Sequence, residues 1–484
     1  MKAVFRAGAG SVSIRPPLGV DLVGYLRRCE RASGYGASME ATAVVLDDGQ
    51  RRVAILGIDL AAVSGKWGQS IRERIATELD CPYHHVLLNA QHTHAGPPVP
   101  GWTKLGGDPD WNEIETRYSD AVTDTLVSAA RVAADALRPA RIGFARTTLD
   151  DMTVNRRQRH EGATILGWNP KEACDRDVAV VRIDGTDGRS LATIVAFACH
   201  PVVVGPEVPE ASSDFVGPMR TRIRDWTGGE CVFLQGCAGN ILPFEAFYDH
   251  AGPENLLGER LALAALAARA MAKFEPTKPE EVPFASAVPI AIWRHIPTGE
   301  SQDTTIAASE RRVSVPLMSP PKLHEIQALR RELETRVATL QGEGAPRTVW
   351  NPVVVHARWA RAVEQRVEDG TVEHSVEAPV QAIRVGSACI TAWPCEPFCE
   401  LGIEVRERSV APFPITLGYS NDLIGYVPTS REYQFGGYEP ALSQRHFGKP
   451  APYAMHAANL LVEEALALTL SLFPERISVD KQHG

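Results

Sequence analysis

The sequence predicts an α/β fold of the mixed α+β type, in which β-sheets are flanked by helices. Short apolar runs typical of strands alternate with longer amphipathic runs typical of helices through the first half of the chain. Of the 484 residues, 44% are hydrophobic and 23% are charged, as in a globular protein with a sizeable core. No repeat with a period of about 20 to 50 residues recurs, so we expect a single domain over residues 1–484.

The predicted strands are runs of valine, isoleucine, leucine and alanine that end at polar or turn-forming residues. They are expected at residues 41–46, 52–58, 85–88, 141–145, 178–183, 192–198, 231–234 and 382–393. Because strands separated by helices form the centre of such folds, we expect these runs to build the sheets.

The predicted helices lie at residues 66–79, 114–137, 256–274, 323–340, 398–408 and 455–472. The third of these is rich in alanine and leucine on most sides, so we expect it to pack in the core. The fourth is highly charged and is expected on the surface, within a helical insertion near residues 316–370. Proline, lysine and glutamate dominate residues 275–289 and 316–322, which we expect to be connections.

The formal net charge is −9 and the isoelectric point is about 5.9. A nucleic-acid-binding protein normally carries a basic surface, so no nucleic acid is expected as a partner. The first ten residues lack the apolar core of a secretory signal, and charges interrupt the long apolar runs, so we expect a cytoplasmic protein without stable membrane insertion. The nine cysteines are an odd number, which favours reduced thiols. As for partners, the sequence is compatible with a homo-oligomer.

Residues 89–97 (NAQHTHAGP) follow the strand predicted at residues 85–88 and end in a glycine-proline turn. In an extended segment, residues two apart point to the same side, so His92 and His94 should face one cavity. One imidazole could bind a cation while the other exchanges protons in the same space. The alternative is a pair of polar loop histidines.

Side chains at three other strand ends or turns could complete a metal site. His200 ends a strand and precedes a proline, and Glu396 follows a later strand, where we expect it in the first turn of the next helix. Tyr426 and Tyr438 lie on glycine-rich turns. Two histidines and a carboxylate are a plausible set of zinc ligands, with room for water or a phenolate. Singly, each residue also has a simpler interpretation as a core histidine, a helix-cap charge or loop packing.

Several segments carry a family resemblance through their order and chemical content. They are residues 14–17 (IRPP), 24–25 (GY), 89–97, 155–157 (NRR), 199–201 (CHP), 213–215 (SDF), 235–243 (QGCAGNILP), 394–402 (PCEPFCELG) and 425–439. Together they resemble the neutral (non-lysosomal) ceramidase family, specifically its N-terminal catalytic region. The resemblance runs nearly from end to end and implies the fold of that catalytic region.

The resemblance also implies roles for individual residues. It implies four ligands of one zinc ion: His92, His200, Glu396 and Tyr426. It implies three residues that handle protons and orient the scissile carbonyl: His94, Arg156 and Tyr438. The glutamate follows Cys395 where the family has a glycine, which leaves the ligand itself in place.

The chain departs from the family where the family has the segment Gly-Asp-Val-Ser-Pro-Asn, whose serine is proposed to take part in amide cleavage. Asn240 replaces the aspartate, Leu242 replaces the serine and Phe244 replaces the last asparagine. A leucine cannot attack a carbonyl, so a mechanism that needs the serine is excluded. We expect these three residues to contact the substrate. The family's C-terminal immunoglobulin-like domain and usual secretion signal are not expected here, which favours a soluble small molecule over membrane ceramide.

These features predict a zinc-dependent hydrolase that cleaves an amide bond, or else an ester or lactone. The metal would lower the pKa of water from about 16 towards ~7. His94 would carry the proton to the leaving group, while Arg156 and Tyr438 would stabilise the oxyanion. A metal-dependent lyase or isomerase is the alternative, since a cation that polarises a carbonyl also acidifies the adjacent C–H and the pocket with Leu242 and Phe244 would be dry.

Two further alternatives stay open from the sequence. A non-catalytic protein could retain zinc for stability, although it would not need the proposed proton-handling residues. Cys237 could replace the missing nucleophile, although a cysteine at a strand end is usually a small core residue. Cys395 and Cys399 could form half of a second zinc site, but no matching pair of ligands accompanies them.

Overall fold

The computed structural model describes residues 4–101, 113–299 and 302–475, and it confirms the mixed α/β class with sheets flanked by helices. The strands are β1 (Arg6–Ser13), β2 (Gly34–Tyr35), β3 (Glu40–Asp47), β4 (Arg52–Ile58), β5 (Val86–Ala90), β6 (Arg138–Thr148), β7 (Thr153–His160), β8 (Ala163–Asn169), β9 (Asp177–Gly185), β10 (Ser190–Phe197), β11 (Glu210–Ala211), β12 (Glu230–Gln235), β13 (Ile241–Pro243), β14 (Thr277–Val282), β15 (Ile292–Pro297), β16 (Ile306–Pro316), β17 (Ser375–Val385), β18 (Ala388–Ala392), β19 (Glu396–Pro397), β20 (Phe413–Leu417) and β21 (Tyr426–Val427). The α-helices are α1 (Gly65–Glu78), α2 (Glu113–Asp135), α3 (Val216–Thr227), α4 (Pro253–Met271), α5 (Leu323–Gly342), α6 (Arg347–Glu368), α7 (Cys399–Arg408), α8 (Tyr438–Ala441) and α9 (Ala457–Leu472).

The larger of two stacked sheets has eight strands in the order β12-β10-β9-β6-β1-β3-β4-β5. Its neighbours are antiparallel except at the two ends, where β4 pairs with β5 and β10 with β12 in parallel. Strands β4, β5 and β10 are buried along nearly their whole length, which explains their continuous apolar sequences. Helices α1 and α2 pack against one half of an outer face, and α3 and α4 pack against the other half.

The second sheet has the order β16-β17-β18-β20 and packs face to face against the first. Ile383, Ile390 and Ile415 from this sheet share one core with Val44 and Ile55 of the larger sheet. Helix α9 covers the opposite face and contributes the buried side chains of its apolar stripe to another core. The result is a layered α/β/β/α arrangement, with the carboxyl ends of the parallel strands at the sheet edges.

Two buried amides tie the ends of these strands together. The Asn89 side chain donates to the Gly418 carbonyl at 2.8 Å and to Ser420 Oγ at 3.0 Å, while its own oxygen accepts from the Gln235 backbone N–H at 2.6 Å. The Gln235 side chain in turn donates to the Cys199 carbonyl at 2.7 Å. The ends of β5, β10, β12 and β20, from both sheets, therefore meet at one place.

Two sequence predictions for the second half of the chain are wrong in detail. The run at residues 382–393 is two strands, because Gly386 adopts a φ of 58° and forms a tight turn between β17 and β18. The connection expected at residues 275–289 contains β14, which pairs with β15 as an exposed hairpin. The helical insertion expected near residues 316–370 contains, besides α5, a second helix, α6, whose bounds were not predicted.

Candidate metal centre and active site

The two histidines of the first motif face each other, but not for the predicted reason. His92 has a φ of 71°, so the segment leaves the strand in a left-handed turn and is not extended. The turn is held because the His92 backbone N–H donates to the Leu60 carbonyl at 3.0 Å. The Nε2 atoms of His92 and His94 consequently lie 3.3 Å apart, with the ring planes at 81°.

His92 and His200 both point the same ring nitrogen, Nε2, towards the centre. Nδ1 of His92 is 2.6 Å from the Ala61 carbonyl, and Nδ1 of His200 is 2.7 Å from the Ala238 carbonyl. A carbonyl can only accept, so both Nδ1 atoms carry the proton and both Nε2 atoms present a lone pair. Burial, followed by the charge of Arg156, lowers the pKa of His200 to about 4, which keeps its imidazole neutral near pH 7.

Glu396 does not lie in the first turn of a helix, as the sequence pattern suggested. It lies on the short strand β19, three residues before α7, because its backbone pairs with that of Tyr426 on β21 in parallel register. Its Oε2 is 3.3 Å from Nε2 of His92 and 3.2 Å from Nε2 of His200. The strand pairing, and not a helix end, therefore positions this carboxylate.

The side chains that converge here fit a metal ion by the chemistry of their donor atoms. The Nε2 atoms of His92 and His200 point at a carboxylate oxygen of Glu396, and such a set of nitrogen and oxygen donor atoms suits a metal cation between them. Ligand nitrogens of His92, His94 and His200 lie within 4.8 Å of one another. Among the described residues, these three histidines form the group that could hold a metal ion. The structure therefore brings together three of the predicted ligands and places His94 beside them.

The two predicted tyrosines lie at the edge of this centre. Tyr426 is the strand neighbour of Glu396, and its ring meets the Tyr438 ring edge-on at a centroid distance of 5.4 Å. Tyr438 begins helix α8 directly after two glycines. Burial raises the pKa of both phenols above the usual value, so both are neutral in the absence of a bound cation.

Arg156 joins the tyrosines to a buried ionic network. Its guanidinium carbon lies 5.3 Å from the centre of the Tyr426 ring, and its Nη1 is 3.4 Å from Nε2 of His200. Its Nε donates to Glu439 at 2.8 Å, and Arg157 binds the other oxygen of that carboxylate at 2.5 Å. Within the described part of the chain, Nη2 of Arg156 has no hydrogen-bond partner, which leaves one buried donor for a ligand.

His94 differs from its two neighbours in how it is held. Its Nδ1 has no hydrogen-bond partner among the described residues, whereas the Nδ1 atoms of the other two imidazoles bind carbonyls. Its backbone carbonyl accepts from Arg28, and its ring packs edge-on against Tyr25 at 5.0 Å. Burial, and then the neighbouring imidazoles, hold the pKa of His94 well below its usual value.

Two buried residues at the centre were missed by the sequence reasoning. Tyr419 donates to Glu396 Oε2 at 3.4 Å, and its ring lies 4.6 Å from that of His92. Glu439 is the partner of Arg156 described above. A signal existed for both, because Tyr419 lies two residues after the end of strand β20 and Glu439 follows Tyr438 in the quoted motif. Polar residues at the ends of neighbouring strands therefore form one set of candidates for the site.

The three predicted substrate contacts lie in different surroundings. Asn240 binds the start of α7, since its oxygen accepts from the Cys399 N–H at 2.8 Å and its nitrogen donates to Glu400 at 2.9 Å. Leu242 is buried on β13, next to Ile241, whose carbonyl is 3.2 Å from Nδ1 of His200. Phe244 is 41% exposed and faces Trp168. Their contact with substrate stays a prediction.

The cysteines do not supply a nucleophile or a second metal site in the described structure. All nine are free thiols. Cys237 is buried in an apolar core, and burial raises its pKa to about 12, so it carries no thiolate near neutral pH. Burial also raises the pKa values of Cys395 and Cys399 well above the usual value.

No helix in the described ranges is both long enough and apolar enough to cross a bilayer.

Comparison with protein families shows that residues 5–230 match the sequence model of the N-terminal region of neutral/alkaline non-lysosomal ceramidases. This relation supports a hydrolase.

Two solved structures are similar along almost the whole chain. A ceramidase complexed with C2 has a TM-score of 0.68 and 16% identity, with 98% of this chain and 76% of that chain covered. A neutral ceramidase from Pseudomonas aeruginosa has a TM-score of 0.66 and 17% identity, with 98% and 75% covered. At such identities the structures establish the fold, and the family match supplies the relationship. The resemblance is thereby confirmed: residues 5–230 match the family model of the N-terminal region of neutral/alkaline non-lysosomal ceramidases, and 98% of the chain shares the fold of the two solved structures.

Proposed function

We propose that this protein is a zinc-dependent hydrolase that cleaves an amide bond, or else an ester or lactone, of a soluble small molecule. The observation that carries the proposal is the convergence of acceptor atoms from His92, His200 and Glu396 within 3.2–3.3 Å. Two neutral imidazoles and a carboxylate form a ligand set that zinc commonly takes in catalytic sites. Tyr426, the strand neighbour of Glu396, would complete the set.

When bound, a zinc ion supplies a Lewis acid that polarises the carbonyl and acidifies water. The carbonyls of Ala61 and Ala238 hold His92 and His200 in the tautomer that a metal requires. Such backbone partners are the usual support of histidine ligands. They argue that both imidazoles are built for coordination.

The protein supplies two hydrogen-bond donors beside the metal ligands. Arg156 keeps its charge because contacts with Tyr426 and Glu439 outweigh the effect of burial and raise its pKa. Its Nη2 is the buried donor without a partner among the described residues, and the Tyr438 hydroxyl is the second donor. Fixed donors in a water-poor site stabilise the negative charge that develops on a carbonyl oxygen.

His94 would exchange the proton between water and the leaving group. Its Nε2 lies 3.3 Å from Nε2 of His92 and so faces the same space. The absence of a carbonyl partner on Nδ1, within the described residues, leaves either nitrogen able to take the proton. A ligand histidine normally has such a partner, which favours the proton-transfer role.

The proposal is tested by metal analysis of the purified protein, followed by a panel of amides, esters and lactones. We expect about one zinc ion per chain and turnover on a member of the panel. Reaction in ¹⁸O-labelled water should place the label in the acid product. An unsaturated product without label would identify a lyase instead, and a protein that retains zinc but turns over nothing would support the binding-protein alternative.

A further prediction concerns Leu242. Because water is the proposed nucleophile, Leu242→Ser should not exceed the matched Leu242→Ala variant in turnover, and the wild type should be active without a serine. Initial rates of the three proteins on the same substrate provide the measurement. A wild type that is inert on the whole panel, together with a serine variant that becomes active, would exclude water attack and favour a degenerate site.

Gly24 offers a test of how closely His94 must be held. Its φ is 105°, and a Cβ added there would lie 2.5 Å from Cγ of His94. Gly19 is the matched control, since its φ is 86° but an added Cβ would meet its nearest atom at 3.9 Å. Alanine at either site should cost roughly 1–3 kcal/mol of stability through backbone strain. Turnover should fall about tenfold to a hundredfold in Gly24→Ala, because the imidazole is displaced.

Thermal unfolding and initial rates, measured on both glycine variants, separate these effects. Equal turnover in Gly24→Ala and Gly19→Ala, corrected for the folded fraction, would show that the position of His94 is not critical.

A further inference from the structure

A chain of hydrogen-bonding side chains connects Tyr438 to the helical insertion. The Tyr438 hydroxyl lies 2.8 Å from Nδ1 of His446, and Nε2 of His446 lies 3.1 Å from Nε2 of His356. The ring centroids lie 5.3 Å apart and the ring planes are within 17° of parallel, so the two nitrogens meet edge to edge. The metal site and the proposed mechanism use neither histidine.

His356 belongs to helix α6 of the insertion, and the same helix holds the loop that carries His446. Trp359 Nε1 donates to the Lys449 carbonyl at 2.8 Å, and Arg366 Nη2 donates to the Gly448 carbonyl at 2.8 Å. These residues recur at helical spacing, so one face of α6 contacts the loop at several points. The insertion therefore contacts the loop whose His446 binds Tyr438.

The number of protons in this chain is limited, because both histidines are neutral near pH 7. Burial, and then His356 and Arg445, lower the pKa of His446 to about 3. Burial and Arg445 lower the pKa of His356 to about 4. A neutral imidazole carries one N–H, so the short contact between the two Nε2 atoms holds one proton, which belongs either to His356 or to His446.

The two arrangements have opposite consequences for Tyr438. If His446 holds the shared proton on Nε2, its Nδ1 accepts a hydrogen bond from the Tyr438 hydroxyl, which then does not donate to the centre. If His356 holds it, His446 carries its proton on Nδ1 and donates to the phenol oxygen. The Tyr438 hydroxyl is then free to donate towards the centre, next to which the Tyr438 ring meets that of Tyr426.

We propose that His356 and His446 are positioning residues that fix the direction of the Tyr438 hydroxyl, with His356 donating to His446 and His446 donating to Tyr438. This inference rests on the proposed function, in which Tyr438 donates to the developing oxyanion. It gives the insertion a role in the active site, because α6 supplies the first donor of the chain. Partners that fix a tautomer commonly affect activity without touching the substrate.

The tautomers can be observed without any substrate. Long-range ¹H–¹⁵N correlation spectra of protein labelled at histidine distinguish a proton on Nδ1 from one on Nε2, and the variants His446→Gln and His356→Gln assign the signals. We expect His446 to carry the proton on Nδ1 and His356 to carry it on Nε2. A spectrum with His446 protonated on Nε2 would overturn the proposal, whether or not the protein is an active hydrolase.

Kinetics provide a second readout. His356→Leu removes the donor and should lower kcat by roughly tenfold to a hundredfold with little change in KM and with the metal retained. His356→Gln keeps an N–H donor and should restore most of kcat. Trp359→Phe is the matched control, because it removes another contact of α6 with the loop but leaves the hydrogen bonds among His356, His446 and Tyr438 intact. Its kcat should stay near that of the wild type.

A double-mutant cycle separates positioning from a structural effect. In a Tyr438→Phe background, His356→Leu should cause no further loss, because the group it positions is already absent. An equal loss in both backgrounds, or an equal loss in Trp359→Phe, would show that α6 acts only by packing. If Tyr438→Phe alone left turnover unchanged, the oxyanion role in the proposed function would be wrong, whereas the tautomer spectra would still decide the inference about His356 and His446.

Discussion

Replacement of His92 or His200 by alanine is expected to release most of the zinc from the protein and to lower turnover by more than about 1,000-fold. Both imidazoles present Nε2 to Glu396 Oε2, at 3.3 and 3.2 Å, and both are oriented by carbonyl partners. Loss of either removes one nitrogen ligand and leaves a buried carboxylate with a single imidazole. Elemental analysis after gel filtration, with turnover measured on the same sample, checks this expectation.

His85→Ala is a suitable control for the loss of a buried imidazole. His85 is 4% exposed, and its Nδ1 is 2.7 Å from the Arg52 carbonyl, so its local bonding resembles that of His92. It lies at the opposite end of strand β5, and the variant should keep the metal. Full zinc content in both His92→Ala and His200→Ala would mean that the ligand set is assigned wrongly.

The parts of the site that the sequence predicted share one physical basis. His92 and His200 each follow a buried apolar strand, and Glu396 follows another, so their side chains emerge where parallel strands end. Burial alone makes such strands recognisable as apolar runs. The polar residue that terminates each run is then a candidate for the site, even when the pairing of the strands is unknown.

The geometry within the site was less predictable, because it depends on contacts between distant segments. The left-handed turn at His92 is held by Leu60 and Ala61, about thirty residues earlier, and no local pattern shows it. Glu396 is placed by pairing with Tyr426, which periodicity cannot reveal in strands of two residues. Tertiary contacts of this kind override local preference.

The contribution of α6 was hidden for a different reason. Pro352 lies within the helix, where proline is unfavourable, and the charged composition of the neighbouring α5 suggested a solvated surface element. The buried face of α6, formed by Trp359, Ala360 and Val363, is short and is visible only once α5 is placed against it. The hydrogen bonds from His356 through His446 to Tyr438 could therefore not be inferred from the sequence pattern.

Replacement of His94 by alanine is the change that best distinguishes a ligand from a proton-transfer group. We expect His94→Ala to keep its zinc and to lose roughly 100-fold to 10,000-fold in turnover, the usual scale for removal of a general acid or base. The ligand nitrogens of the three histidines lie within 4.8 Å of one another, so distance alone admits His94 as a ligand. The bonding of Nδ1 decides between the roles: His92 and His200 have carbonyl partners there, and His94 has none among the described residues.

Zinc content and turnover of the alanine variant must be measured on one preparation, because a partially loaded sample would imitate a catalytic defect. The variant His94→Gln provides a comparison that retains much of the side-chain volume beside Tyr25 but cannot take up a proton near neutral pH. It should retain zinc and be as impaired as the alanine variant if proton transfer is the role of His94. Recovery of turnover with glutamine would indicate a packing role, and loss of zinc in step with activity would make His94 a ligand, so that Glu396, His92 and His200 would share the metal with a third imidazole.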